Sequence, residues 1–185
     1  PPPWTDGNGS DGDGAVAPVK QWDRGHVHLC GIGGCGMNGL ARLLASRGAQ
    51  VTGSDQRASA VTAELEAEGI PVRSGAAVGS LPAGTGVLVI SAAIPEGHPE
   101  VRAAESEGVP VLKYAEMLGA LMRDRVGVAV AGTHGKSTTS SLLAHVLIEC
   151  GLDPSLIVGA TCAQIGGGWR VGQSPLLVAE ACEFD

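Results

Sequence analysis

Aromatic side chains are nearly missing from this sequence: 185 residues contain one Phe, one Tyr and three Trp. Single strands of nucleic acid are held by rings on which bases stack, so that mode of binding is poorly supplied. Basic charge is scarce too, with 12 Lys and Arg against 19 Asp and Glu for a net charge of −7, whereas a protein that tracks a phosphate backbone needs a basic face. Nucleic acid is not an expected partner, and any phosphate must be held locally, by backbone N–H groups and a few cations. No apolar run approaches the roughly 18 residues of a membrane helix, and the opening PPPWTDGNGSDGDGAVAPVKQWDRG lacks the basic-then-apolar order of a secretory signal. No membrane partner is expected. The five cysteines, Cys30, Cys35, Cys150, Cys162 and Cys182, include no CxxC pair and are odd in number, which points to a reduced, cytoplasmic location.

What is present is aliphatic. Residues 1–24 read as a disordered lead-in, and the chain then alternates. HVHLCGI is a short apolar strand from His26, MNGLARLLASRG a helix with Met37, Leu40, Leu43 and Leu44 at helical spacing, and AQVTGSD a second strand. TAELEAEG is a polar helix, GVLVIS a strand, HPEVRAAESEG a helix, VPVLK a strand and YAEMLGALMRD an amphipathic helix leading to the strand GVAVAG. Runs such as VLVI and VAVA, apolar on both faces, are what a parallel sheet covered by helices requires. The expected fold is α/β: a Rossmann-like doubly wound parallel sheet over residues 25–124, followed over 125–185 by the start of a P-loop ATPase α/β domain.

Two glycine turns carry the chemistry. The first, Gly31-Ile-Gly33-Gly34-Cys35-Gly36, fits G-x-G-x-x-G between a strand and a helix, and Asp55 follows at the end of the second strand. Such glycines bring backbone N–H groups to a pyrophosphate, and the helix beginning near Met37 offers its positive end. Gly36 is expected to need a backbone conformation that only glycine adopts easily. By pattern alone the default ligand is NAD. The second turn, Gly132-Thr133-His134-Gly135-Lys136-Ser137-Thr138, has the G-K-[ST] core of a phosphate loop but Val130 where a full Walker A has glycine. Lys136 suits phosphate oxygens, the Ser137 hydroxyl suits Mg²⁺, and the amides of His134 to Thr138 suit an anion at a helix start. This turn points to a nucleoside triphosphate.

In register along the chain, GIGGCGMNGLA, SAAIPEGHPE from Ser91 to Glu100, AGTHGKSTT and AEACEFD resemble the signature segments of the Mur ligase family, and within it the members that join L-alanine to UDP-N-acetylmuramate. The resemblance spans essentially the whole chain after the lead-in. It implies a three-domain cytoplasmic enzyme of peptidoglycan precursor synthesis, of which this chain is an N-terminal portion, inactive alone. It changes the first ligand from NAD to UDP, since the loop cannot tell two pyrophosphates apart. Gly31, Gly33, Gly34, Cys35, Gly36 and Met37 are then the sugar-nucleotide turn, with Asp55 near the uridine and Ser91, Ala92 and Ala93 at the carboxyl edge of a strand. ATP and Mg²⁺ are implied cofactors, and L-alanine the amine. The muramoyl carboxylate would attack the γ-phosphorus to give an acyl phosphate, which the amine then attacks. Three positions depart from the family pattern: Ser137 where threonine is usual, Ala92 where serine is common, and Cys182 where a carboxylate is common.

PLLVA before Glu180 is an apolar strand whose carboxyl end in a parallel sheet emerges on the same edge as the loop after GVAVAG. Ser137 and Glu180 are therefore expected side by side as Mg²⁺ ligands, with Lys136 and Glu180 catalytic and Glu183 turned to the opposite face. His134 could touch phosphate or simply fix the turn. Cys35 suits a crowded glycine loop, His26, His28, His98 and His145 show no metal-ligand spacing, and Arg42, Arg47, Glu64, Glu66 and Glu68 read as solvated faces. Three other functions fit parts of the sequence: a ligase attaching a preformed peptide to the same sugar nucleotide, a nicotinamide-dependent dehydrogenase, and a non-catalytic UDP-sugar-binding module.

Overall fold

In the computed structural model, residues 25–75 and 79–181 are described. The expected disordered lead-in, and Cys182, Glu183 and Asp185, lie outside them.

The first unit is β1 (His26–Cys30), α1 (Cys35–Ser46), β2 (Gln50–Asp55), α2 (Ala60–Ala67), β3 (Val72–Ser74), β4 (Val87–Ile90), α3 (Pro99–Glu107) and β5 (Val111–Lys113). Its strands form one parallel sheet in the order β3-β2-β1-β4-β5. The chain moves outward from β1 in one direction and from β4 in the other. With crossovers of one hand, as parallel strands require, this reversal puts α1 and α2 on one face and α3 on the other. Alternating side chains record this. Val27, Leu29, Val87 and Val89 share a core with Leu40, Leu43, Leu44 and Leu65, while Cys30 and Leu88 pack with Val101 and Ala104 of α3.

Next come α4 (Tyr114–Arg123), β6 (Val126–Val130), α5 (Lys136–Glu149), β7 (Ser155–Cys162), β8 (Gly167–Arg170) and β9 (Leu176–Glu180). The second sheet has the order β6-β9-β7-β8. Strands β6, β9 and β7 are parallel, but β8 runs antiparallel to β7. The sheet is mixed rather than wholly parallel, because a one-turn 3₁₀ segment at Ala163–Ile165 returns the chain as a hairpin with no helical crossover. The sequence reading missed β7 and β8, and also β3, which has only three residues.

Helix α1 departs from its expected single apolar stripe. Every residue from Met37 to Leu44 is buried, because the helix lies between the two sheets and touches β2 on one side and β7 and β8 on the other. One hydrophobic core runs through from Val27 to Ile157, Leu177 and Ala179. Gly39 permits the approach: a Cβ there would lie 3.1 Å from the Trp169 Cβ and 3.2 Å from the Ile157 Cγ2. Arg42 is accordingly not on a solvated face but 5% exposed. Its guanidinium donates to both Glu68 oxygens at 2.6 and 2.8 Å and to Asn38 Oδ1 at 3.1 Å, and it stacks 4.1 Å over the Trp169 ring. The VAVA run of β6 also differs from expectation. Among the described residues it is an edge strand of the second sheet, paired only with β9, and Val126 at its start is 49% exposed. Among the described residues no helix is long and apolar enough to cross a membrane.

Candidate functional site

In the first sheet the strand order reverses between β1 and β4, and ligands of open α/β sheets bind at the carboxyl ends of such a pair. A cleft of about 540 Å³ lies there, lined by Gly31, Gly34, Asp55, Ser91 and Ala93, with Cys30 and His98 at its base. Gly31 is required to be glycine on two counts: its φ is +80°, and a Cβ would sit 2.8 Å from Ser91 Oγ. The amides of Gly31 and Ile32 donate to Ser54 O at 2.8 and 3.1 Å, that of Gly34 to Gly31 O at 3.1 Å, and that of Gly33 to Asp55 Oδ2 at 2.9 Å. The glycine amides are thus committed to holding the turn. The amides of the first turn of α1, from Cys35 on, remain for an anion, because Gly34 caps the helix without a side chain. Asp55 ties β2 to the glycine turn in addition to any ligand contact.

The expectation for Gly36 is corrected. It lies inside α1 with ordinary helical backbone, and a Cβ would meet the Tyr114 ring at 2.8 to 3.1 Å. It is small so that α4 can pack, not because its backbone conformation is special. Met37 is buried and Ala92 is exposed outside the lining of the cleft.

At the second turn, Gly132 and Gly135 have φ of +150° and +77°, and α5 begins directly at Lys136 with Gly135 as its cap. Thr133 Oγ1 and His134 Nδ1 lie 3.3 Å apart on the exposed loop, and Lys136 Nζ donates to Gly132 O at 2.5 Å, across the mouth of the turn. The register of β6 and β9 pairs Val130 with Glu180. That pairing brings Glu180 to the loop, where Ser137 Oγ donates to its Oε2 at 2.9 Å and lies 3.1 Å from its Oε1. Gly159 of β7, which sequence reasoning missed, donates its amide to Glu180 Oε2 at 2.8 Å. A hydroxyl and a carboxylate together offer the hard oxygens that Mg²⁺ takes. Ser137 and Thr138 also line a hollow of about 510 Å³ with His145 and Thr161. Beside the first turn lies a groove of about 460 Å³, lined by Gly33, Cys35 and Asn38 on one side and by Gly159, Ala160 and Trp169 of the β7–β8 hairpin on the other; Gly159 links it to Glu180 and so to the second turn.

Beneath the first cleft is a polar cluster that sequence spacing could not reveal. Glu100, at the start of α3, is fully buried. It accepts from Ser54 Oγ at 2.6 Å and lies 3.3 Å from His28 Nε2 and 3.9 Å from Arg73 Nη2. His28 Nδ1 is 2.8 Å from Thr52 Oγ1. Burial alone would favour the protonated carboxyl, but the hydrogen bonds from His28, Ser54 and Cys30 outweigh it and hold Glu100 down to about 2. Because the folded value is depressed, the stabilisation is present above the ordinary value of 4.5 and is lost as pH falls through about 2. It amounts to about 3 kcal/mol. In urea titrations from about pH 6 to pH 2, Glu100→Gln should lose less stability on acidification than the parent; equal losses would mean the carboxylate is not charged in the fold.

The sequence pattern of the Mur ligase family, catalytic domain, matches residues 26–126, the first unit as far as the start of β6. A UDP-N-acetylmuramate--L-alanine ligase of Dechloromonas aromatica is 46% identical over 160 residues, 86% of this chain and 34% of that protein. The crystal structure of a UDP-N-acetylmuramate-alanine ligase of Thermotoga maritima superposes with a TM-score of 0.76 at 30% identity, over 84% of this chain and 36% of that one. The UDP-N-acetylmuramate:L-alanyl-gamma-D-glutamyl-meso-diaminopimelate ligase of Neisseria meningitides gives 0.75 at 31%, over 87% and 53%. The chain spans about a third of the length of the curated relatives it matches. With the family pattern covering more than half of it, the chain belongs to the Mur ligase family.

Proposed function

We propose that this chain binds UDP-N-acetylmuramate at the first turn and ATP at the second, as part of an ATP-dependent ligase that joins L-alanine to the sugar nucleotide. The observation that carries this reading is the groove from Gly33 and Cys35 to Gly159, whose amide holds Glu180 beside Ser137. Through Gly159 and Glu180 it leads from the first turn toward Ser137, the direction in which the lactyl carboxylate of a bound sugar nucleotide would have to extend to meet a γ-phosphate.

In this mechanism the first-turn amides of α1 and the loop at Ser91 orient the sugar nucleotide, and Lys136 leaves the Gly132 carbonyl to neutralise phosphate oxygens. Ser137 and Glu180 would hold Mg²⁺, whose charge would offset that of the phosphates. The carboxylate oxygen attacks the γ-phosphorus, ADP leaves, and the acyl phosphate is opened by the amine of L-alanine with release of phosphate. Charge neutralisation and positioning are the protein's share of the first step. Residues 25–124 serve the sugar nucleotide and 125–185 the ATP, in a cytoplasmic setting.

Calorimetry with the chain should show binding of UDP-N-acetylmuramate and none of NADH. Preference for NADH would replace the ligase reading with a dehydrogenase. The likeness to the Neisseria ligase favours a second reading, with a preformed peptide as the amine. Comparing L-alanine and that tripeptide as acceptors in the full-length protein separates the two.

A further inference from the structure

We propose that Cys30, His98 and Glu100 form a binding site for a thiophilic divalent cation of the Zn²⁺ class, at the base of the first cleft and separate from the Ser137–Glu180 pair. The three come from the end of β1 and the start of α3. One ligand atom from each lies within 4.8 Å of the other two. The set of thiol, imidazole and carboxylate is the mixed soft and borderline one that Zn²⁺ and Co²⁺ accept and that Mg²⁺ does not.

The geometry is close to what a tetrahedral ion needs. Cys30 Sγ and His98 Nδ1 are 3.6 Å apart, and bonds of about 2.3 Å to sulfur and about 2.05 Å to nitrogen at a tetrahedral angle require about 3.6 Å. The carboxylate has to close in by at most about 1.5 Å. His98 Nδ1 carries the lone pair, since it accepts from the Glu100 amide at 3.3 Å; a cation would take that lone pair in place of this long capping contact. The outer partners a metal site relies on are also in place: Ser54 and His28 hold the Glu100 carboxylate, and Thr52 in turn holds His28. Cys30 and His98 both line the cleft, which supplies an entry path and leaves a fourth position open to solvent or ligand. Burial and the neighbouring Glu100 push the Cys30 thiol up, so without metal it keeps its proton. A cation would take that proton's place, with Cys30 binding as thiolate and the proton passing to solvent.

The probe is Co²⁺ alone, added to the reduced, metal-free chain and followed by absorption. A thiolate-to-cobalt charge-transfer band should rise to saturation at one equivalent and be bleached by equimolar Zn²⁺. Cys30→Ser, nearly isosteric, should abolish the band. His98→Ala should weaken Co²⁺ binding by about tenfold or more. Cys35→Ser, altering an exposed cysteine outside the lining of the cleft, should leave the band unchanged. Circular dichroism confirms that each variant is folded. No band in the parent chain, or a band that survives Cys30→Ser, overturns the site. Because the assay contains no nucleotide, its failure is independent of whether UDP-N-acetylmuramate binds.

Discussion

In a full-length ligase carrying this segment, Glu180→Gln is expected to lower turnover at saturating ATP by about 100-fold and to raise the Mg²⁺ concentration needed for half-maximal rate. UDP-N-acetylmuramate affinity should stay nearly unchanged. The structure explains why shape survives while charge is lost. Glu180 accepts from the Gly159 amide at 2.8 Å and from the Ser137 hydroxyl at 2.9 Å. A glutamine with its carbonyl at the Oε2 position can keep both contacts, while its amide takes the Oε1 position, 3.1 Å from the Ser137 hydroxyl. What it cannot do is present an anion to the cation proposed to sit beside Ser137. Steady-state rates across a Mg²⁺ series, with UDP-sugar affinity measured separately, check this. A fall in sugar-nucleotide affinity to match the fall in rate would show that Glu180 supports the groove and not the metal.

The largest expected effect on folding is at Gly172, between β8 and β9. A Cβ there would overlap the carbonyl oxygens of both Asp153 and Pro154, which are backbone atoms and cannot rotate away. Gly172 also brackets Ser155, which is fully buried: its amide donates to Ser155 Oγ at 3.1 Å, its carbonyl faces that hydroxyl at 3.3 Å, and Arg125 Nη1 adds a contact at 3.1 Å. Gly172→Ala must push the loop off the start of β7 and strand these groups. The loss should be about 3 kcal/mol or more, read as a fall in the denaturant midpoint. Gly84→Ala is the comparison. Gly84 has φ of +79° but nothing within 4 Å of a Cβ, so that variant pays backbone strain alone, about 1 kcal/mol. Similar losses at both positions would mean that the loop at Gly172 yields.

Local pattern was enough for much of the first unit. The β1-turn-α1-β2 frame, the glycine turn and Asp55 at the end of β2 are all encoded by neighbours in sequence, as period-2 runs and a helix start. The apposition of Ser137 and Glu180 was also readable, because parallel pairing sends two strand ends to one edge. Short strands without alternation escaped, as did the β7-β8 hairpin.

Residues 26–180 by themselves determined the alternation of strand and helix, the two glycine turns and the membership in a ligase family, since each rests on residue types at short, regular spacing. Only the tertiary structure decided how those pieces share space. It sandwiched α1 between two sheets, so Arg42 became a buried ion pair and Gly36 and Gly39 became packing positions. It also set Cys30 and His28 of β1 against His98 and Glu100 of α3. Sequence spacing is blind to such encounters because the crossover places side chains from remote segments on one face of the sheet, where burial forces each polar group to find a partner.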